Sequence, residues 1–427
     1  MKKLVASVGL VALGASALQT ATAQGLQGPD GSKPWSVSAT LRGFYDDNVS
    51  CIPDDYVIPS GEDEDSFGFE ISPSAQFRWD RDQTSISLGY TYSYKYYDSR
   101  PIGMSDHDDQ NHNFNAALNH AFSERYQLQV VDSFVIGQEP DMLRAGSTFN
   151  TFQRIPGDNI RNYGSIAFSA ELSEQFGMEI AYANGYYNYD DSNVDYGYSA
   201  LLDRLEHAIR LDGKWKATER TTGVLGYTFG MTDYTADQLI DPYSDYTSDV
   251  RNSRSHYVYV GADHAFAPDL RGSLRVGGRY IDFYNDPTGE DNITPYVRGS
   301  LRYFYGTENY LEGGFSYDRS ATDVARGSFA NGAPTLDADT GTIFANLYHK
   351  LTPKLGGTVT AQFQNSEFNK GYYDGDSEQM YLIGLELEYR FNQYLAAHAG
   401  YNYDHLESDI GRTFDRNRVY VGVTASY

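Results

Sequence analysis

The chain has 427 residues, with 38 Tyr, 22 Phe and 41 Gly, a formal net charge of −25 and a mean hydropathy of −0.54. This acidity excludes a nucleic-acid footprint, which needs clustered positive charge, and the single cysteine, Cys51, excludes an intrachain disulfide. No interior stretch approaches the roughly 18 uninterrupted apolar residues of a membrane helix, and no linker or composition shift divides the chain.

The first element is a targeting segment. Lys2 and Lys3 precede apolar Leu4–Leu18, and Ala21-Thr22-Ala23 follows. Charged, apolar, then small is the order of a secretory signal peptide. Cleavage after residue 23 is expected to leave one domain, 24–427, with two positive charges fewer and a charge of −27. An N-terminal anchor helix is the competing reading. No Cys stands at the cleavage site, so no lipoprotein anchor is expected.

From Trp35 onward, apolar and polar residues alternate with a period of two, which signals strands with one greasy and one wet face. Eighteen strands are expected, with sixteen as the alternative if one hairpin is misread. The first six span Trp35–Tyr45, Ser66–Trp79, Thr84–Tyr97, Asn111–Phe122, Tyr126–Ile136 and Asn159–Leu172. The next six span Phe176–Tyr189, Leu202–Lys216, Thr221–Tyr234, Ser253–Phe266, Leu270–Tyr284 and Asn292–Tyr305. The last six span Tyr310–Arg319, Thr340–Leu351, Leu355–Phe368, Gln379–Phe391, Leu395–His405 and Phe414–Tyr427. Tight polar turns such as Asp80-Arg81-Asp82, Ser123-Glu124-Arg125 and Thr352-Pro353-Lys354 alternate with long loops rich in Asp, Asn, Gly and Pro. Short turns on one side and long loops on the other is the asymmetry of a transmembrane antiparallel up-and-down β-barrel. An even count keeps both termini at the short-turn side.

Facing follows from the alternation. Val37, Ala39, Leu41, Gly43 and Tyr45 are expected to meet lipid, as are Ile86, Leu88, Tyr90, Tyr92 and Tyr94. Glu386, Glu388 and Arg390 then point inward, opposite Ile383, Leu385 and Leu387. Asp132 breaks the pattern of its strand, and a bulge or a shifted register is expected there. A soluble sandwich would bury these inward charges in a dry core at prohibitive cost. A water-filled lumen removes that cost.

The inward face carries the candidate selectivity residues. Arg271, Arg275 and Arg279 share one face, and Arg298 and Arg302 repeat the pattern on the following strand. Arg204, Arg210, Lys214 and Lys216 add positive charge beside Glu206 and Asp212, and Arg416 and Arg418 project inward from the last strand. A basic wall facing acids would set up a transverse field that orients polar solutes; mutually compensating lumen charges are the alternative.

Two loops stand out. Gly137–Asp158 carries Met142, Leu143, Phe149, Phe152 and Ile155 among Glu139, Asp141 and Asp158. Such apolar loop residues are expected to pack against something, either inside the lumen as a constriction or on neighbouring loops. Asp46–Asp65 holds eight carboxylates and no Lys or Arg. Hard cations favour oxygen ligands, but the loop lacks calcium-loop spacing and reads as a solvated acidic segment. No metal site, catalytic residue or cofactor is expected. The nine His are scattered, with no H-E-x-x-H and no G-x-S-x-G.

The chain closes on Val419, Val421, Val423, Ala425 and Tyr427, alternating with Arg418, Tyr420, Gly422, Thr424 and Ser426. A terminal aromatic strand of this kind is what a closing barrel strand needs. Signal segment, hairpin rhythm and terminal Val-Thr-Ala-Ser-Tyr together resemble the Gram-negative outer-membrane porins, and more narrowly their β-barrel porin type 2 group. The resemblance spans almost all of the mature chain, but its motifs are patterns rather than functional residues. It implies passive transport of small hydrophilic solutes across the outer membrane. It also implies contact with membrane lipid and lipopolysaccharide, and insertion by the barrel-assembly machinery reading the strand that ends at Tyr427. An export or uptake channel for an anionic saccharide and a plugged structural or adhesive barrel are the alternatives. An oligomer is possible, but nothing in the sequence marks an interface.

Overall fold

A computed structural model describes residues 33–56, 63–100, 107–138, 158–190, 198–240, 245–287, 292–325 and 333–427. The expected signal segment and the residues Glu139, Asp141, Phe149 and Phe152 lie outside them.

Eighteen antiparallel strands form one closed barrel. The first six are β1 (Trp35–Asp46), β2 (Ser66–Asp80), β3 (Thr84–Tyr97), β4 (Asp108–Ala121), β5 (Tyr126–Gly137) and β6 (Asn159–Glu171). Then come β7 (Phe176–Tyr189), β8 (Arg204–Thr218), β9 (Thr221–Tyr234), β10 (Ser253–Ala267), β11 (Leu270–Asp282) and β12 (Asn292–Phe304). The last are β13 (Tyr310–Ser320), β14 (Asp337–Lys350), β15 (Leu355–Asn369), β16 (Ser377–Asn392), β17 (Leu395–Ser408) and β18 (Phe414–Ser426). Every strand pairs with its neighbours in sequence, and β1 pairs with β18, so no hydrogen-bonding edge is left open. The seam runs from Ser38 opposite Ser426 to Asp46 opposite Arg418. At its foot Val37 and Tyr427 exchange backbone hydrogen bonds of 3.0 and 2.8 Å, and the Tyr427 ring lies 5.9 Å from Trp35.

The outer face is apolar. Leu41, Leu88, Val258, Val260, Ile343 and Val421 are all exposed to the surroundings. This inversion of a soluble core is favourable in hydrocarbon and costly in water, which fixes the barrel in a bilayer. Several His residues join the outer girdles, while His398 faces the lumen opposite Glu388. Near the long-loop end, Tyr90, Tyr182 and Tyr227 bond His112, His207 and His256 at 2.8–2.9 Å. Near the short turns, His120 and His264 stand edge-on to Phe122 and Phe266 at 4.5 Å. Amphipathic rings settle at membrane interfaces because one end is apolar and the other wet. These histidines are anchors, and periodicity alone gave no sign of it.

One expectation is corrected. β5 has no bulge and no shifted register at Asp132; its pairing with β4 and β6 is continuous. Register shifts fall instead beside short turns, at Ala265/Ala267, Lys216/Thr218 and Arg390/Asn392. Asp132 stays on the outward face, opposite Ala116 and Gly164, because Asn162 Nδ2 donates to its carboxylate at 3.0 and 3.2 Å.

Candidate functional site

The inner wall begins with register. β11 and β12 place Arg271 opposite Arg302 and Arg275 opposite Arg298, on the face away from Leu274, Val276, Val297 and Leu301. Like charges directly across a pair repel. The repulsion is relieved sideways: Arg275 reaches Asp263 on β10 at 2.9 Å, and Arg302 reaches its partner Glu312 on β13 at 2.5 Å. Arg279 donates to Asp318 at 3.3 Å and to the Arg319 carbonyl at 2.8 Å. Arg271 is exposed and has no carboxylate partner among the described residues. The acids of this wall therefore sit beside the arginines, on flanking strands. Nine strands round the barrel, β2 and β3 present mostly Ser72, Ser74, Gln76, Ser87, Thr91 and Ser93.

β8 adds a second basic strip. Glu179 on β7 accepts from both Arg210 and Lys214, the latter at 2.6 Å, and Asp212 lies 3.5 Å from Arg210. Between β7 and β13 the inward positions hold nine basic residues (the five arginines of β11 and β12 with Arg204, Arg210, Lys214 and Lys216) against six carboxylates (Glu179, Glu206, Asp212, Asp263, Glu312 and Asp318). That sector is positive inside a chain whose formal charge is −25.

Glycines keep the large inward side chains flat. A β-carbon at Gly226 would stand 2.1 Å from the Tyr259 ring, and one at Gly261 would stand 2.5 Å from Arg275. Tyr259 thus lies across Gly226 and donates to Asp212 at 2.6 Å. Glycine inside a strand marks such close approach. Its effect here is to lay bulky groups along the wall, away from the axis.

Not every inward residue meets open water. Arg204 is 1% exposed, lies 3.7 Å over the Tyr187 ring, and bonds Glu206 at 2.6 Å and the Leu202 carbonyl at 2.9 Å. With Glu206 it fastens the mouth. Arg416 is buried in a two-armed contact with Asp46 and lies 3.6 Å from Cys51 Sγ, where burial pushes the thiol's pKa up. Arg418 pairs with Asp404 at 2.6 Å, Arg390 pairs with Glu388, and Glu386 lies 3.5 Å from His398.

The long-loop end holds a feature that the alternation did not reveal. Ala200, Ile240, Val250, Ile281, Phe283, Ala325 and Leu336, from four successive loops and the top of β11, form a buried apolar cluster. Arg251, 1% exposed, is its staple. It donates to the carbonyls of Thr335 (3.0 Å), Thr322 (3.2 Å), Leu201 (3.4 Å) and Val324, and burial pulls its pKa down. Ile281 faces inward, so this cap grows from the lumen side of the wall. Each loop contributes only one or two apolar residues, too few to register as a pattern in sequence.

A sequence model of the family described as "Putative beta-barrel porin 2" matches residues 37–427. No curated protein matches the chain. Among solved structures, OpdK of Pseudomonas aeruginosa with vanillate is 12% identical, with a TM-score of 0.45 over 92% of this chain and 99% of that one. A BenF-like porin from Pseudomonas fluorescens Pf-5 gives 12%, 0.45, 92% and 99%. OccK2 of Pseudomonas aeruginosa in complex with glucuronate gives 12%, 0.43, 94% and 100%.

Proposed function

Because the chain belongs to the "Putative beta-barrel porin 2" family and forms an outer-membrane diffusion channel for small hydrophilic solutes, we propose that this channel favours anionic solutes, carried past the arginine wall without a chemical step. Barrels of 16–18 strands leave an aqueous channel, and the lumen here offers charged and hydroxylic groups along its length. The observation that carries the reading is the paired row Arg271–Arg302 and Arg275–Arg298. Its carboxylate partners lie to the sides, and Arg271 keeps its charge open to water. A solute carboxylate or phosphate entering that strip meets guanidinium donors suited to planar oxygen pairs.

Planar-bilayer recording tests it. A steady open conductance with an anion-selective reversal potential in a KCl gradient is expected. Selectivity should decay towards unity at 1 M salt, where the screening length shrinks to about 3 Å. A cation-selective or silent protein would defeat the reading. Block of the current by an acidic oligosaccharide, at concentrations where a neutral one does nothing, would narrow the solute class to anionic saccharides.

A further inference from the structure

We infer that the outward face of β5–β7 is a contact between two copies of this chain within the membrane. Among the described outward positions between the girdles, Asp132 is the one carboxylate. Its register partner across β6 is Gly164, and the partner of Gly164 across β7 is Asn184. Asn184 Nδ2 donates to Asn162 Oδ1 at 3.3 Å, and Asn162 donates on to Asp132 at 3.0 Å. The three side chains form a short directed chain of hydrogen bonds on a surface that otherwise carries Phe114, Phe134, Ile136, Ile166 and Ile180.

Hydrocarbon offers nothing to the remaining lone pairs of Asp132 and Asn184, and intramembrane carboxylates that persist are paired. The arrangement points to a second copy as the cover, because it is complementary to itself. A two-fold axis along the membrane normal and over Gly164 exchanges the flanks. β5 of one copy then faces β7 of the other, and Asp132 meets the face that carries Asn184 and Tyr182. Each contact occurs twice, as a two-fold interface requires. The axial residue is Gly164, and both polar flanks lean over it: a β-carbon there would lie 2.6 Å from Asn184 Oδ1 and 3.2 Å from Asp132 Oδ2, so the two polar groups stand next to the axis. Small residues at the contact with polar side chains beside them is how membrane-embedded surfaces associate when no hydrophobic gain is on offer.

Ile166 lies on the same face of β6, two residues from Gly164 and 48% exposed, so the axis brings its two copies together. The full chain carrying Cys51→Ser and Ile166→Cys is oxidised with copper phenanthroline in outer membranes. A disulfide-linked product of twice the chain mass is expected. Ile343→Cys, on β14 and 60% exposed, serves as the control and should give none. Adding Asp132→Leu or Asn184→Leu should lower the Ile166→Cys product more than about tenfold, because the two-fold interface loses the charge-assisted contact twice, while heat-modifiable gel mobility reports a folded barrel. Cross-linking of Ile166→Cys no greater than that of Ile343→Cys overturns the inference. So does a product of any other mass, or a dimer yield indifferent to both leucine variants in folded barrels.

Discussion

The inner wall has two unlike sectors. From β2 to β5 it is built mainly of Ser, Thr, Asn and Gln, with Asn115 bonding Asn113 at 2.7 Å and Thr91 bonding Ser74 at 3.0 Å. Its one central carboxylate, Glu70, is held by Ser72, Ser93 and Arg42 at 2.5, 2.9 and 3.3 Å. From β7 to β13 it is built of arginines and lysines with flanking acids. Both sectors keep polar groups hydrated. The first carries few charges, with Lys95 directly opposite Glu70, and its remaining polar groups satisfy one another through short side chains. The basic one cannot balance itself, because its cations outnumber its acids. The proposed anion preference thus rests on the wall whose charge is not balanced by its own neighbours.

Removing the imbalance is the strongest way to break this contrast. A unit charge about 8 Å from a permeating ion in water is worth roughly 0.5 kcal/mol, and about a quarter of a kcal/mol after screening at 0.1 M salt. Each charge favours the anion and disfavours the cation equally, so replacing Arg271, Arg275, Arg298 and Arg302 together by Gln should cut the anion-to-cation permeability ratio about thirtyfold. Asp263 and Glu312 would be left exposed, which pushes in the same direction. Reversal potentials read this directly. An unchanged ratio would strip the arginine wall of its role and leave the two sectors equivalent for transport.

The converse experiment builds charge onto the neutral wall. Asn113 and Asn115 point into the lumen from β4, opposite Thr91 and Gly89 and then Val135 and Ser133, with no carboxylate among those partners. Asn113→Arg with Asn115→Arg should raise the anion preference about fivefold, half the charge of the first experiment giving half the free energy. No change would mean that solutes do not pass along β2–β5. The route would then be confined to one side of the lumen.

Much of this architecture is legible in the amino-acid pattern alone. All eighteen strands, their facing and the eight short turns follow from the period of two, since a single-residue slip would turn every side chain to the wrong medium. The arginine row is legible for the same reason: Arg271, Arg275 and Arg279 are four residues apart and must share a face. What stays hidden is whatever depends on neighbours distant in sequence. Nothing near Arg275 announces Asp263 as its partner, and nothing in the β8 pattern separates Arg210, on the open wall, from Arg204, sealed beneath the mouth. Asp132 violates its pattern visibly. Its physical reason, the Asn162 amide on the adjacent strand, lies thirty residues away.

The mildest prediction concerns the cap. Arg251 ties three loops through four carbonyls and, among the described residues, makes no hydrogen bond to a carboxylate. Arg251→Met should keep the stem's packing and leave those carbonyls without a donor, at about 2–4 kcal/mol of local stability. The barrel is held by its closed hydrogen-bond ladder and should keep its melting behaviour. The β13–β14 connection should become cleavable by added protease in intact membranes, and the open current should grow noisier. Selectivity should not move, because the guanidinium is locked at the mouth with its donors turned to backbone oxygens. A shift in reversal potential from this one substitution would extend the discriminating field to the loops and erase the boundary between the basic wall and its cap. Protease resistance equal to the parent's would mean that the apolar cluster around Ile281 and Phe283 holds the loops without its staple.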